Sequence, residues 1–362
     1  MRYGIIGCGR IAPFHIGAAE AGGMEITCIC DTDPKAMEAL AAAFPACAGA
    51  KRYADFRKML CENPGLDLVS VATPSGSHGE IGLFCIEKGM NVIIEKPVAM
   101  SLAEADALIA AADKRGVKAC ACHQNRFNIP VQRLRKALEK GRLGRLSHGS
   151  VCVRWFRDRD YYSQASWRGT WKDDGGCLMN QCIHGIDLLR WCMGGEIDSV
   201  YGVIRQNQHP YIEAEDAGMA LVRFKNGASA TIEGSVNVYN TDLEEVLCVF
   251  GEKGYAKISG LCANRLERLQ YEGMEEDEDY QAFEEKAKNI YGNGHKSVFA
   301  DMAEAIKENR APYIDLKAGR DALELVLAVY LSAKEKRPVA LPLRDCSTLD
   351  FEGFFDKNGK QI

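Results

Sequence analysis

The chain has 362 residues, which is too long for one ordinary hydrophobic core and is typical of two domains. Its hydrophobic and charged fractions, 47% and 26%, are those of an average globular protein. The net charge of -5 argues against a nucleic-acid partner, because phosphate binding requires a clustered basic surface. The longest apolar runs are far too short to cross a bilayer, so we expect no membrane partner.

The N-terminus and the 15 cysteines bear on the cellular compartment. Residues 1–7 run directly into a strand without an apolar signal-peptide segment, so we expect a cytoplasmic protein. The cysteines are scattered through apolar runs and lack the paired spacing near histidines that is typical of a metal site. We interpret pairs such as Cys28/Cys30 and Cys120/Cys122 as small, reduced core residues of buried strands, and we predict no metal.

Up to residue 123, apolar strand-like runs alternate with helical patterns. Strands are predicted at 3–7, 25–30, 68–73, 91–94 and 118–123, and helices at 11–21, 34–44, 79–88 and 102–115. Alternation of this kind predicts a parallel sheet covered by helices on both faces, with right-handed crossovers. Residues 1–123 are therefore predicted to form a doubly wound α/β domain.

Residues 124–362 have a different pattern and are predicted to form a second domain. Helices are expected at 131–140, 176–193, 296–308 and 317–334, and strands at 147–156, 198–206, 217–224, 228–237, 244–250 and 255–259. Turn pairs such as Asn226-Gly227 join several of the strands through connections too short for helices. The sequence thus predicts an α+β domain with a large, mostly antiparallel sheet. The acidic segment 272–286 is expected to face solvent.

A glycine-rich turn, residues 7–12, follows the first predicted strand and opens a helix. Gly7 permits a tight turn, and Gly9 lets the backbone approach a pyrophosphate closely. The diphosphate would lie at the helix N-terminus beside Arg10 and Ile11, where N–H groups and the helix dipole favour negative charge. Between a strand and a helix, this motif predicts a Rossmann domain that binds a dinucleotide.

Asp31 ends the second predicted strand and bears on the choice of dinucleotide. A carboxylate at this position accepts hydrogen bonds from the adenosine ribose hydroxyls and repels a 2′-phosphate, so NAD is favoured over NADP. The alternative is an ordinary turn aspartate within the segment 31–34.

Two further strand ends belong to the predicted cofactor crevice, because ligands bind outside the carboxyl ends of the strands in open α/β sheets. Thr73 and Pro74 end the third long strand, and His78 follows on the next loop. Glu95 and Lys96, before a proline, end the next one. A lysine at such a site is costly to desolvate unless it has a function.

These motifs, together with Gly175-Gly176, Asn180 and His184 further along, resemble the Gfo/Idh/MocA oxidoreductase family over nearly the whole chain. The resemblance implies a Rossmann domain and a second domain with a large sheet that commonly forms an oligomer interface. We therefore expect a homo-oligomer, a tetramer or larger, that binds NAD and a sugar or glycoside substrate.

The resemblance also implies the catalytic residues. In the family, the lysine of the E-K-P motif, an aspartate and a histidine four residues later form the catalytic group. Lys96 and His184 match, whereas Asn180 replaces the aspartate and cannot accept a proton. We expect His184 to act as the base and Lys96 to stabilise the developing alkoxide, with the two side chains converging over the pyridine ring. The alternatives are Lys96 as the proton acceptor and His184 as a core histidine.

An aromatic and charged stretch, residues 154–171, suits the flat faces and hydroxyls of a sugar, although a loop packed on the sheet is the alternative. Residues 124–127 resemble the family's nicotinamide-side loop, and Trp167-Arg168 resembles a contact to cofactor and substrate. The further predicted contacts are Gln124, Asn125, Trp167 and Arg168 for the cofactor, and Arg157, Tyr162, Asn180, His184 and His295 for the substrate.

The segments 123–128 and 178–181 resemble a branch of the family that oxidises the C3 hydroxyl of pyranosides. The many scattered cysteines suit an organism that lives with little oxygen. This favours plant O- or C-glycosides as substrates, which the enzyme would convert to 3-keto glycosides. UDP-N-acetylglucosaminuronate and inositol or another polyol are alternatives. A lyase or glycosidase that uses NAD transiently and a non-catalytic, NAD-binding redox sensor are further alternatives.

Overall fold

The computed structural model describes residues 1–274, 283–287 and 289–355. The chain divides into two compact units: Met1–His123 with Gly294–Arg320, and Gln124–Asn293 with Asp321–Ile362. Residues 275–282, the centre of the predicted acidic segment, lie outside the described residues.

The first 123 residues alternate strands and helices as predicted. The strands are β1 (Arg2–Ile6), β2 (Glu25–Cys30), β3 (Lys51–Tyr53), β4 (Leu68–Val71), β5 (Asn91–Ile94) and β6 (Ala119–Ala121). The helices are α1 (Ala12–Ala21), α2 (Pro34–Ala43), α3 (Phe56–Glu62), α4 (His78–Glu87) and α5 (Leu102–Arg115). All neighbouring strands pair in parallel, in the order β3-β2-β1-β4-β5-β6, which confirms the doubly wound Rossmann fold.

The burial of a strand explains whether it can be recognised from the sequence. Every residue of β4 is buried, and such a strand gives a continuous apolar run. By contrast, β3 has only three residues, two of them exposed, so it carries no apolar signal and was missed together with α3.

The second unit is built on a large sheet. Its elements up to residue 293 are α6 (Ile129–Glu139), β7 (Leu146–Arg154), α7 (Arg159–Ser163), α8 (Ile183–Met193), β8 (Ile197–Arg205), β9 (Ala217–Phe224), β10 (Ser229–Ser235), β11 (Glu244–Gly251), β12 (Gly254–Ser259), β13 (Arg265–Tyr271) and β14 (Phe283–Glu284). Short 3-10 turns lie at Pro45–Cys47, Ser75–Ser77, Gln124–Phe127 and Thr348–Phe351.

The last elements of the chain are divided between the units. Helix α9 (His295–Glu308) belongs to the first unit, while most of α10 (Leu316–Glu335) and the short strand β15 (Val339–Ala340) belong to the second. Within the first unit, the Phe299 ring of α9 packs edge-on against Tyr3 of β1, with centroids 5.5 Å apart. Among the described residues, none of the helices combines the length and apolar character needed to cross a bilayer.

Nine described strands form the sheet of the second unit, in the order β14-β13-β12-β11-β7-β10-β9-β8-β15. All of the described pairings are antiparallel except that of β7 with β10, so the predicted, mostly antiparallel sheet is confirmed. Burial alternates along β9, as expected for a sheet with one covered and one open face. Helix α8 lies on the covered face, where Gly149 of β7 allows Leu189 and Met193 to approach.

The helix predicted over 176–193 is two elements. Cys177–Gln181 forms a π-helical turn, and α8 begins at Ile183. The interruption lies at Cys182, whose N–H donates at 3.0 Å to the Cys177 carbonyl five residues back. At the start of the segment, the otherwise unpaired Leu178 N–H donates to the buried Glu215 side chain at 2.7 Å. Asn180 therefore lies in the π turn, while His184 lies in the first turn of α8.

Candidate active site

The glycine-rich turn fits a dinucleotide. Gly7 has φ 97°, and a Cβ there would overlap the carbonyl of Ala72, so this position requires glycine. A Cβ on Gly9 would meet no atom within 4 Å among the described residues, so the backbone beside it is open to a ligand. Arg10 and Ile11 then lead into α1, whose N-terminal dipole end favours an anionic group.

Asp31 organises the same turn. Its carboxylate accepts the Cys8 N–H at 2.7 Å and the Asp33 N–H at 2.8 Å. A carboxylate has about four acceptor sites, so the two that remain suit ribose hydroxyls. The predicted contact with the adenosine ribose and the alternative of a turn aspartate are thus compatible.

His78 connects the loops after β4 and β5. Its Nε2 lies 2.8 Å from the carbonyl oxygen of Thr73, and its Nδ1 lies 2.7 Å from that of Pro97. Burial lowers the pKa of His78 despite the two carbonyl neighbours. The ring thus holds the segments that carry Thr73, Pro74 and Lys96, and the Lys96–Pro97 peptide bond is cis.

Glu95 points into the interior of the first unit. The residue is 5% exposed, and its carboxylate accepts a hydrogen bond from Nε2 of His15 at 2.8 Å. Burial alone would raise the pKa of Glu95, but the hydrogen bond from His15 and the nearby His295 imidazole outweigh burial and hold it well below its ordinary value. Lys96, the next residue, is only partly buried. His295 is 3% exposed and faces Glu95 at 3.6 Å within this unit.

In the second unit, His184 meets the turn Gln124–Phe127. The Nε2 atoms of Gln124 and His184 are 3.3 Å apart. Since the amide N–H is the donor, Nε2 of His184 is the acceptor and carries a lone pair. His184 is 7% exposed, so the imidazole is held in a largely desolvated position.

Two further interactions join the same turn to the surrounding structure. Arg126 forms a bidentate ion pair with Asp187 of α8 through bonds of 2.7 and 2.6 Å, and both side chains are buried. Asn125 donates to Glu245 at 3.3 Å. Burial raises the pKa of Glu245 to about 8, so this carboxyl group is neutral at lower pH. Gln124 and His184 are therefore oriented by buried polar pairs on either side.

A polar network surrounds Asn180. Its side-chain amide donates to Asp174 through a short hydrogen bond, and its carbonyl accepts from Gln181 at 2.6 Å. Gln181 also donates to the Tyr161 hydroxyl at 2.9 Å and accepts from Arg157 at 3.0 Å. Asn180 and Arg157, two of the predicted substrate contacts, are thus linked through Gln181.

Two other predicted contacts, Tyr162 and Arg168, pack against aromatic rings. Tyr162 packs against the rings of His209 and Tyr211, with centroids 5.4 and 6.0 Å away, whereas the neighbouring Tyr161 joins the network. Arg168 stacks on the Tyr161 ring at 4.2 Å and lies 5.6 Å from the Trp167 ring. Within the described part of the chain, the Arg168 guanidinium has no carboxylate partner.

Sequence reasoning gave no individual role to several residues that build this site. Arg126, Tyr161 and Gln181 lie in segments it had singled out, whereas Asp174, Glu215 and Glu245 were not assigned to the site. Their partners are distant in sequence, and only an acidic residue within an apolar strand, as at Glu245 in β11, could have drawn attention to such a site.

Comparisons with known proteins place this site in a class of enzyme. The description "Oxidoreductase family, NAD-binding Rossmann fold" matches residues 1–123, and "GFO/IDH/MocA C-terminal domain" matches residues 131–257. The fold and these matches define an NAD-dependent oxidoreductase. The chain belongs to the Gfo/Idh/MocA family, whose relatives include NAD-dependent sugar and polyol dehydrogenases.

Individual relatives agree with this assignment. The WlbA dehydrogenase from Bordetella pertussis, solved in complex with NADH and UDP-GlcNAcA, is 34% identical with a TM-score of 0.85, over 94% of this chain and 99% of that one. The scyllo-inositol 2-dehydrogenase (NAD(+)) of Bacillus subtilis (strain 168) is 23% identical over 96% of this chain and 98% of its own length. The myo-inositol 2-dehydrogenase of Thermotoga maritima is 26% identical over 94% and 98%.

Proposed function

We propose that this enzyme oxidises the C3 hydroxyl of a pyranose, with His184 as the base. The observation that carries the proposal is the contact between Gln124 and His184, in which Nε2 of a buried imidazole is an unprotonated acceptor. A base in this state accepts a proton without first losing one. Bound NAD supplies the hydride acceptor.

The reaction divides between proton and hydride. The hydroxyl O–H bond breaks and its proton passes to Nε2 of His184, while the hydride leaves the same carbon. Lys96 stabilises negative charge developing on the oxygen. Asn180, held by Asp174 and Gln181, donates or accepts at a neighbouring hydroxyl and so orients the ring. Asn180 has no proton-transfer role, because an amide does not titrate in this range.

Arg168 favours an anionic substrate. Its guanidinium stacks on Tyr161, whose hydroxyl contacts Gln181, and it meets no carboxylate among the described side chains. A partly buried arginine of this kind suits the carboxylate or diphosphate of a nucleotide sugar. Together with the similarity to WlbA, this feature puts UDP-N-acetylglucosaminuronate ahead of the glycosides that the cysteines favoured.

The direct test is NAD reduction by wild-type enzyme, followed by absorbance, with UDP-N-acetylglucosaminuronate, myo-inositol and a methyl glucopyranoside. H184Q and K96M should each lower kcat by about 10²–10⁴-fold while NAD still binds. Because the two groups serve one step, the double variant should fall by less than the product of the single effects. His148, an exposed histidine of the same unit, provides the control H148Q, which should retain full activity.

Different outcomes distinguish the alternatives. NAD binding without reduction by any probe would support the redox sensor, and full activity of H184Q would exclude His184 as the base. R168Q should raise KM for the nucleotide sugar by about 10–100-fold, as expected for a lost charged hydrogen bond, and leave KM for neutral sugars unchanged. R145Q, at an exposed arginine, is the matched control.

We also propose that the open face of the large sheet is a homo-oligomer interface. Met219, Leu221 and Tyr201 are 59%, 48% and 45% exposed on adjacent strands β9 and β8. A contiguous apolar face of this kind is typical of a protein contact. Substitution L221D should reduce the mass measured by light scattering to that of a smaller assembly, whereas an unchanged mass would contradict this interface.

A further inference from the structure

Four side chains with metal-binding atoms meet inside the first unit, outside the reaction described above. They are His15 on α1, Glu95 after β5, Cys122 after β6 and His295 at the start of α9. Their donor atoms all lie within 4.8 Å of one another. Each residue is at most 5% exposed, so the cluster is closed off from solvent.

His295 makes this cluster unusual. Neither of its ring nitrogens has a hydrogen-bond partner among the described residues, although the residue is 3% exposed. Its Nε2 points at Oε1 of Glu95 from 3.6 Å, which is beyond hydrogen-bond length. Buried polar groups are almost always satisfied, so an imidazole in this state indicates a ligand that it binds.

The charges of the cluster lead to the same conclusion. The Glu95 side chain is buried between the imidazoles of His15, at 2.8 Å, and His295, at 3.6 Å, and a buried carboxylate is costly unless a cation compensates it. A divalent cation with one carboxylate, one thiolate and two neutral imidazoles forms a neutral assembly. Two histidines, a cysteine and a carboxylate are also donors that zinc prefers.

We propose that His15, Glu95, Cys122 and His295 bind one Zn²⁺ ion. Tetrahedral bonds to nitrogen, oxygen and sulfur separate the donor atoms by roughly 3.3–3.8 Å. The contact of 2.8 Å between His15 and Glu95 therefore has to open slightly, and the widest separation, at most 4.8 Å, has to close by about 1 Å. Small side-chain rotations accomplish both.

Ser70 orients one of the proposed ligands, His15, without binding the metal itself. Its hydroxyl lies 3.0 Å from Nδ1 of His15, so Nδ1–H donates to Ser70 when Nε2 binds the metal. Binding releases the thiol proton of Cys122 to solvent, and the other ligands lose no proton. With four protein ligands and no open position, the site is structural. It joins α9 to the strands β5 and β6 within the first unit.

The test is stoichiometric metal binding by the full chain. Cys61 is an exposed cysteine, so C61S serves as the background to remove a surface thiol. After dialysis against chelator, we expect one equivalent of Co²⁺ to bind with a thiolate-to-metal charge-transfer band, and Zn²⁺ to displace it and raise Tm. C122S should abolish the band, and H295Q should weaken binding by at least about 10-fold.

Cys120 supplies the matched control. It is buried in β6, two residues before Cys122, but does not belong to the cluster, so C120S should bind Co²⁺ like the background protein. Absence of one-to-one binding by the background protein would overturn the proposal, as would a charge-transfer band that survives in C122S. If C122S does not fold, H295Q probes the same site from α9. The spectroscopic readout is independent of NAD reduction.

Discussion

The glycine-rich turn of the first unit and the Gly175-Gly176 turn of the second solve similar problems in different ways. Gly7 and Gly176 both have positive φ, 97° and 90°, and each precedes a helical segment. At Gly7 the atom that excludes a side chain is the backbone carbonyl of Ala72. At Gly176 it is the Glu215 carboxylate, which also accepts from Leu178 and Tyr330. The first turn is set by the backbone of a neighbouring strand end, and the second by the buried side chain of Glu215.

The largest effect is expected at Gly7. G7A forces a positive φ on alanine and an overlap with backbone that cannot move aside, so unfolding free energy should fall by about 3–4 kcal/mol. G9A has space in the free protein and should fold normally while binding NAD more weakly. Urea denaturation and NAD titration separate the two effects. Equal stability losses in the two variants would refute the distinction.

Gly176 tests whether an added Cβ is accommodated more easily against a side chain than against the backbone, as at Gly7. G176A should cost about 2–3 kcal/mol, since φ is unfavourable and a buried carboxylate has to shift. G227A is the control: its φ is 89°, but its Cβ would meet none of the described atoms within 4 Å. It should therefore lose only about 1 kcal/mol. If the unfolding free energy falls no more in G176A than in G227A, the Glu215 side chain moves aside at no measurable cost.

Glu245 tests the dependence of the second unit on buried acids. Burial raises its folded pKa to about 8, while the unfolded carboxyl titrates near 4.5. Between these values the folded state holds a proton that the unfolded state has lost, so stability falls as pH rises, by at most about 1.4 kcal/mol per pH unit. E245Q should remove this slope in urea denaturation at pH 5, 6.5 and 8. The exposed substitution E252Q should retain it.

The smallest effect is expected at Asp31. D31N keeps one acceptor oxygen, for either the Cys8 or the Asp33 N–H, and loses the charge, so NAD affinity should fall about tenfold and the relative use of NADP should rise. D33N, at the cap of α2, should leave the cofactor preference unchanged. Unaltered preference in D31N would mean that Asp31 only stabilises the turn.

The sequence predicts those structural features that depend on a local pattern of residues. Apolar runs and alternating polarity were sufficient for the Rossmann sheet and for most strands of the second sheet, and the glycine motif located the cofactor turn. Sequence patterns failed at the π turn, because the apolar run 177–193 contains no residue that signals a change to the i→i−5 bond at Cys182, and the side chain that caps the segment, Glu215, lies 37 residues beyond Leu178. Likewise, the proposed zinc ligands are spread from residue 15 to residue 295, so no short spacing revealed them.

The return of residues 294–320 to the first unit has a consequence for biosynthesis. During translation the parallel sheet emerges early, but α9, with Phe299 against Tyr3 and His295 beside Glu95, emerges only near the end. A nascent chain of 123 residues therefore exposes the apolar surface that α9 later covers. Completion of the N-terminal unit has to wait for the ribosome to pass residue 320, and chaperone demand should be greatest in that interval.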